Sequence, residues 1–282
     1  MSQSLPIFSR PVAIRYCYSA NIGKSAGSRD SSLTNHGILQ AKRLGAHIAT
    51  RQVTIGPVKH IFASTLQRAY LTAEAIAEAC SSTATPHVAG ASSGESVVTL
   101  DAVIRLDELC EKDFGSLEGK KFGFREDVAD AETHESIRLR VHRFLDVHFQ
   151  PIVQQLVAEN HVVIIVAHGI VLNILLKALV FRYPPKSSSL GDRRDTELMT
   201  AWRNTGVMQT RFEVSTFAAS SRLPSSKTFH MTVEQANNVD HLQGLKKTRG
   251  GIGSAQFDSR QRTVDSFFVP TSKERKSGDA LD

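Results

Sequence analysis

The feature that most constrains the fold is a run of six apolar residues at 162–167, five of them Val or Ile. A continuous β-branched run is typical of a strand buried on both faces of a parallel sheet. The apolar residues 170–180 that follow predict a helix. Strands at 11–17 and 60–64 likewise precede helices, so strands and helices alternate. This order predicts an α/β domain, a three-layer α/β/α sandwich around a mostly parallel sheet.

Further elements follow from local patterns. Thr34 is expected to cap the first helix, and a second helix is expected from Arg68 to residue 79. Residues 80–96 are rich in small polar residues and predict a surface loop before a strand at 97–100. Two closing strands are expected at 207–214 and 228–234, joined by a Ser-rich connection at 218–226. Residues 135–159 predict one long amphipathic helix with the apolar stripe Ile137, Val141, Phe144, Val147 and Phe149.

Composition limits the classes of protein that fit. No apolar run approaches the ~20 residues that span a bilayer, so no membrane span is expected. Cys17, Cys80 and Cys110 are few and widely spaced, as in reduced thiols of the nucleus or cytoplasm, and no metal site or cofactor is predicted. We expect one domain at 1–245 and a disordered basic tail at 246–282, in a chain of net charge +6.

Polar residues are expected where the strands end. Arg15 is expected to close the first strand, Ser64 and Arg68 follow the second, and His168 follows the run at 162–167. Ligands of open α/β sheets bind beyond the carboxyl ends of the strands, and forked guanidinium groups favour phosphate. Each residue alone fits a solvated surface arginine or a turn histidine. Together they predict an anion site.

The chain resembles the histidine phosphatase, or phosphoglycerate mutase-like, superfamily over residues 12–242. Residues 33–41 read Leu-Thr-Asn-His-Gly-Ile-Leu-Gln-Ala, and residues 64–73 read Ser-Thr-Leu-Gln-Arg-Ala-Tyr-Leu-Thr-Ala. The acidic block at 111–119 reads Glu-Lys-Asp-Phe-Gly-Ser-Leu-Glu-Gly, and residues 166–169 read Val-Ala-His-Gly. All four blocks are similar to motifs of that family, so the resemblance implies its fold.

The resemblance also implies roles for individual residues. In the family a first histidine attacks phosphorus, while two arginines and a second histidine neutralise the phosphoryl oxygens. At the matching positions Arg15, Arg68 and His168 would hold the phosphoryl group, with Asn21 as an accessory ligand. Glu111 would protonate the leaving oxygen. Glu108 is a rival proton donor, but Glu111 has the family's spacing to the following Phe-Gly pair.

The chain departs from the family at the nucleophile. Residue 16 is Tyr where the family has His, and Cys17 replaces the following Gly. A phenol with a pKa of ~10 is mostly protonated near neutral pH and attacks poorly. We therefore expect a domain that is catalytically weak or inactive and still binds an anion. The alternative is an active phosphomonoesterase that uses Tyr16, Cys17 or a non-covalent route.

Residues 261–268 match the motif Gln-x-x-aliphatic-x-x-aromatic-aromatic, the box through which proteins bind the DNA sliding clamp (PCNA). In one helical turn Val264, Phe267 and Phe268 form an apolar plug, and Gln261 begins the box. Chance similarity and packing of the two aromatics back on the domain are the competing interpretations. The leading hypothesis is a protein recruited by its tail to the clamp in the nucleus. A nucleic-acid binder acting through the basic tail is a further alternative.

Overall fold

The computed structural model describes residues 27–83, 102–120, 128–159, 161–185, 202–216, 227–246 and 255; of residues 14–18, 83, 154, 156–159, 216 and 227 it describes the backbone alone. Six strands form one sheet in this part of the chain. They are β1 (Ile14–Tyr18), β2 (Val58–Ser64), β3 (Ile104–Leu106), β4 (Val162–Ala167), β5 (Val207–Thr216) and β6 (Lys227–Asn238). Their order in the sheet is β3-β2-β4-β1-β5-β6. Strands β1 to β4 are parallel to one another, and β5 runs antiparallel to both of its neighbours, β1 and β6.

Helices cover both faces of the sheet. Their bounds are α1 (Asn35–Ile55), α2 (Gln67–Thr83), α3 (His134–Phe144), α4 (Gln150–Glu159) and α5 (Gly169–Arg182). The π-helical turn Leu145–Phe149 joins α3 to α4, and short 3₁₀ turns occur at Asp107–Leu109, Gly115–Leu117 and Asp240–Leu242. None of the helices in the described residues is long and apolar enough to cross a bilayer.

Strand β4 shows why the sheet has two cores. All six of its residues are buried, and their side chains alternate between the faces. Val163, Ile165 and Ala167 join the core formed mainly by α3, α4 and α5. The alternate residues Val162, Ile164 and Val166 join the core under α1 and α2. This alternation confirms the three-layer α/β/α sandwich with a mostly parallel sheet.

The first helix begins as its sequence predicts. Thr34 is in an extended conformation, and its hydroxyl accepts a 3.1 Å hydrogen bond from the Gly37 N–H. The cap satisfies an amide that has no partner within the helix. Leu44 and Ile48 on the predicted apolar face are fully buried.

Four sequence predictions needed correction or fall outside the described residues. Strand β1 continues to Tyr18, so Arg15 does not close it, because the backbone pairing with β4 extends to Ala167. Helix α2 extends to Thr83 into the predicted loop, and β3 lies after the strand predicted at 97–100. Residues 84–101, which include that strand, are outside the described residues, as is the connection at 218–226.

The predicted long helix is continuous but carries the π turn. Val147 is 57% exposed, whereas Phe149 is fully buried. A π turn adds a residue to the local period, which rotates the following side chains around the helix axis. The expected place of Val147 in the apolar stripe was therefore wrong.

The C-terminal part contacts α1. Arg43 Nη1 donates a 2.8 Å hydrogen bond to Gln243 O, and the first amide of α1, Asn35 N, donates to Ala255 O at 3.1 Å. Ala255 lies beyond the predicted domain boundary at 245. Of the predicted tail, only Lys246 and Ala255 belong to the described residues.

Candidate functional site

Arg68 lies in the first turn of α2, directly beyond β2. Asp30 fixes this start of the helix, because its carboxylate accepts a 2.8 Å hydrogen bond from Gln67 N. The Arg68 side chain is 3% exposed, and its two Nη atoms donate to Arg29 O at 2.9 Å and to Gly27 O at 2.7 Å. These two bonds fix the orientation of the planar guanidinium. A buried, oriented positive charge therefore stands at the carboxyl edge of the sheet.

His168 follows β4 and occupies the N-cap position of α5, where its side chain makes no capping hydrogen bond. It is 1% exposed, and neither ring nitrogen has a hydrogen-bond partner within the described part of the chain. Burial lowers the pKa of His168 well below its ordinary value, and the charges of Arg68 and Arg140 lower it further. The imidazole is therefore neutral near neutral pH and offers one N–H donor and one lone pair.

Glu111 reaches the same helix start from the acidic block. It is 7% exposed, its Oε1 accepts from Lys112 N at 2.9 Å, and its Oε2 accepts from Ile170 N at 3.3 Å. Burial raises the pKa of Glu111, while these backbone N–H groups and the charge of Arg68 lower it. A carboxyl group with a raised pKa can donate a proton near neutral pH more readily than an exposed one.

Glu108 is directed elsewhere. Its carboxylate pairs with Arg143 of α3, with 3.4 Å between Glu108 Oε1 and Arg143 Nε. Its backbone carbonyl accepts a 2.8 Å bond from Arg140. Glu108 is therefore engaged by two arginines of α3, whereas the Glu111 carboxylate contacts the start of α5.

Arg140 also influences the site, although the sequence did not indicate it. Arg140 forms a two-pronged ion pair with Glu132, with Nε–Oε1 and Nη2–Oε2 distances of 2.9 and 3.1 Å. Its charge also acts on His168, as the lowered pKa records. An arginine on an otherwise ordinary amphipathic helix carries no sequence signal for this role, because only the packing of α3 beside α5 brings it close.

The remaining predicted site residues fall outside what the structure describes. Asn21 and the box residues Gln261, Val264, Phe267 and Phe268 lie outside the described residues, as do the side chains of Arg15 and Tyr16. The backbone of β1 places Tyr16 opposite Ile165 of β4. The structure thus brings together Arg68, Glu111 and His168.

The chemistry of this group suits an oxyanion. A guanidinium, a neutral imidazole and a buried carboxyl group converge at the carboxyl edge of the sheet, where a helix also begins. Such groups can bind phosphoryl oxygens and protonate a leaving group. No cluster of three or more His, Cys, Asp or Glu side chains that could hold a metal occurs among the described residues.

Residues 19–190 match the histidine phosphatase superfamily (branch 1). Because this match covers more than half of the chain, the protein belongs to that superfamily. The matched segment begins after Arg15 and Tyr16. A probable phosphatase of Schizosaccharomyces pombe is 28% identical over 255 residues, which cover 87% of this chain and 74% of the relative.

Two solved structures share the fold at low sequence identity. A phosphoglycerate mutase from Bacillus anthracis superposes with a TM-score of 0.53 at 16% identity, over 83% of this chain and 96% of that one. A mutant phosphoserine phosphatase from Entamoeba histolytica, in complex with phosphoserine, gives a TM-score of 0.50 at 17% identity, over 82% and 99% of the two chains. Both structures share the α/β fold of this histidine phosphatase superfamily member.

Proposed function

We propose that the crevice beside Arg68, Glu111 and His168 binds a phosphate-containing ligand, and that the domain hydrolyses such ligands weakly or not at all. The observation that carries the proposal is the buried His168 ring, whose two nitrogens have no partner among the described residues. A buried polar atom without a partner costs roughly 1–3 kcal/mol. A bound oxyanion that accepts from the imidazole N–H would remove part of this cost.

The roles of the other residues follow from their charges. Arg68 supplies a positive charge to the phosphoryl oxygens, and Arg15 and Asn21 complete the set that the family resemblance implies. Glu111 supplies the proton for the leaving oxygen, in keeping with the raised pKa that burial gives it. Charge neutralisation and positioning account for most catalysis of phosphoryl transfer.

The low activity rests on Tyr16. A tyrosine at the nucleophile position cannot form the phosphohistidine of the family, and a phenol of pKa ~10 is mostly protonated at pH 7. We therefore expect the protein to bind phosphate-containing ligands with little or no hydrolysis.

The test compares binding with turnover in the full chain. Calorimetric titration with inorganic phosphate should give saturable binding, weakened about 10-fold or more in His168→Ala because the imidazole N–H that donates to the anion is lost. Hydrolysis of p-nitrophenyl phosphate and phosphoserine should be near background in the wild type and rise in Tyr16→His. Absence of phosphate binding would refute the proposal.

A working phosphomonoesterase is the second candidate. It is favoured by the raised pKa of Glu111 beside the cationic groups and by the similarity to the S. pombe probable phosphatase. Robust wild-type turnover would select it. A phosphorylated adduct on Tyr16 or Cys17, located by mass spectrometry, would then separate a covalent route from a non-covalent one.

We also propose that the segment 261–268 recruits the protein to the replication sliding clamp, PCNA, in the nucleus. The support is the sequence pattern of the box, together with the position of its attachment. Ala255 lies against the first residue of α1, and a chain extends by at most ~3.6 Å per residue. Six residues separate Ala255 from Gln261, so the box begins at most about 22 Å along the chain from that contact.

A peptide of residues 256–272 tests this recruitment. Its binding to purified clamp should fall at least 10-fold when Phe267 and Phe268 are both changed to Ala, because paired aromatics anchor such contacts. Asp265→Ala, at an unconstrained position of the box, is the matched control. Equal binding by all three peptides would exclude the box. Affinity for DNA that falls steeply with salt, with no clamp binding, would instead support the nucleic-acid alternative.

A further inference from the structure

Glu118, the second glutamate of the acidic block, binds the backbone of residues 27–29, which we call the strap. Its carboxylate accepts hydrogen bonds from Gly27 N at 3.1 Å, Ser28 N at 2.9 Å and Phe114 N at 3.1 Å. Glu118 thereby ties the strap to the acidic block. No role in the site was assigned to it from the sequence.

Arg68 binds the same strap from its carbonyl side. Its guanidinium donates to Gly27 O and Arg29 O. The carbonyl of Gly27 and the N–H of Ser28 belong to one peptide group. That single peptide group therefore lies between two opposite charges, with its oxygen toward Arg68 and its N–H toward Glu118. Hydrogen bonds in such a chain polarise and strengthen one another.

The strap has little freedom to adopt another position at Gly27. Gly27 is buried, and a Cβ atom there would overlap Lys112 O, the Glu118 carboxylate and the Phe114 ring. Only glycine permits this close approach of backbone to the acidic block. The block therefore reaches the site twice, through Glu111 at the start of α5 and through Glu118 at the strap.

We propose that Glu118 is a positioning residue of the anion site, which holds the Arg68 guanidinium in place through the peptide group between Gly27 and Ser28. This inference rests on the proposed phosphate-binding function of the crevice. Without the Glu118 charge, the strap amides lose their acceptor and the carbonyls that orient Arg68 lose their fixed position. The Arg68 guanidinium is then less well oriented for binding a ligand.

The proposal and simple electrostatics predict opposite effects on binding. Removal of a negative charge near an anion site should strengthen phosphate binding by Coulomb's law. If Glu118 positions Arg68, its removal should weaken binding instead. The sign of the change therefore separates the two effects.

The experiment titrates inorganic phosphate into the full chain and into Glu118→Gln. We expect the dissociation constant to rise about 10-fold, the scale of one charge-assisted hydrogen bond. Glu135→Gln, which removes an exposed carboxylate of α3 paired with Arg138, is the control and should bind as the wild type does. Unchanged or tighter binding by Glu118→Gln would overturn the proposal.

A second measurement does not depend on phosphate. Hydrogen exchange of the Arg68 guanidinium protons, followed by NMR, should accelerate in Glu118→Gln together with exchange of the Gly27 and Ser28 amides. Faster strap amides with unchanged Arg68 protons would show that Glu118 only pins the backbone, and would overturn the inference.

Wild-type protein that binds no phosphate would refute the proposed function, while the Arg68 exchange would still decide the positioning role. If Glu118→Gln does not fold, Glu118→Asp provides the test. It keeps the charge with a shorter reach, and wild-type phosphate affinity and Arg68 exchange in that variant would count against the proposal.

Discussion

The buried imidazole of His168 gives a pH dependence of stability that can be worked out in advance. Burial and two arginine charges lower the pKa of His168 well below 6.5 in the folded state. The unfolded chain then binds a proton that the folded chain does not, so the free energy of unfolding falls as pH drops below about 6.5. With the imidazole neutral throughout, the loss is about 1.36 kcal/mol per pH unit below that point, or about 2 kcal/mol between pH 7.5 and pH 5.0.

Glu111 changes the free energy of unfolding with pH in the opposite direction to His168. The wild type must therefore be compared with a variant that lacks only the histidine. The pKa of Glu111 is raised in the folded state, which makes its contribution less unfavourable as pH falls. Urea unfolding of the wild type and of His168→Gln at both pH values largely cancels the contribution of Glu111. We expect the wild type to lose more stability than the variant between pH 7.5 and pH 5.0, by at most about 2 kcal/mol, the limit for an imidazole that stays neutral over this range.

His134→Gln controls for the loss of a histidine as such, because His134 is an exposed residue in the first turn of α3. A wild-type loss matching that of His168→Gln would refute the reasoning, since it would mean that His168 is protonated or solvated in the folded protein. A solvated or protonated ring would also remove the reason to expect an anion beside it.

Two further predictions concern the fold. Thr34→Ala should reduce the free energy of unfolding by about 1 kcal/mol, because the Gly37 amide loses its cap; an unchanged urea midpoint would contradict this. Phe149→Ala should cost about 3–5 kcal/mol because it empties a fully buried position, whereas Val147→Ala in the same turn should change stability by less than about 0.5 kcal/mol. If Phe149→Ala and Val147→Ala changed the free energy of unfolding equally, as measured by urea unfolding, the buried position of Phe149 and the exposed position of Val147 would be contradicted.

Much of the architecture was predictable because it depends on local pattern. The run at 162–167 is strand β4 at its predicted bounds, and Thr34 caps α1 as expected. Both signals are carried by residues adjacent in sequence. The end of β1 was not predictable, because its backbone hydrogen bonds to β4 set it. The π turn at Val147 was not predictable either, because it accompanies the packing of Phe149 in the core.

The candidate site divides in the same way. The motifs indicated Arg68, Glu111 and His168, whose types and spacing carry the chemistry. Their burial and their influence on one another arise only when β2, β4 and the acidic block converge. Arg140 and Glu118 lie near the same site, and the sequence around each of them does not predict the contacts that they make.

The sequence by itself determined the alternation of strands and helices and the residue types available to an anion. These properties are local, since they depend on side-chain chemistry and on periods of a few residues. The tertiary structure alone decided that His168 is buried without a partner among the described residues and that one peptide group connects Arg68 to Glu118. Both depend on segments far apart in the chain, where burial and charge act through space and not along the backbone.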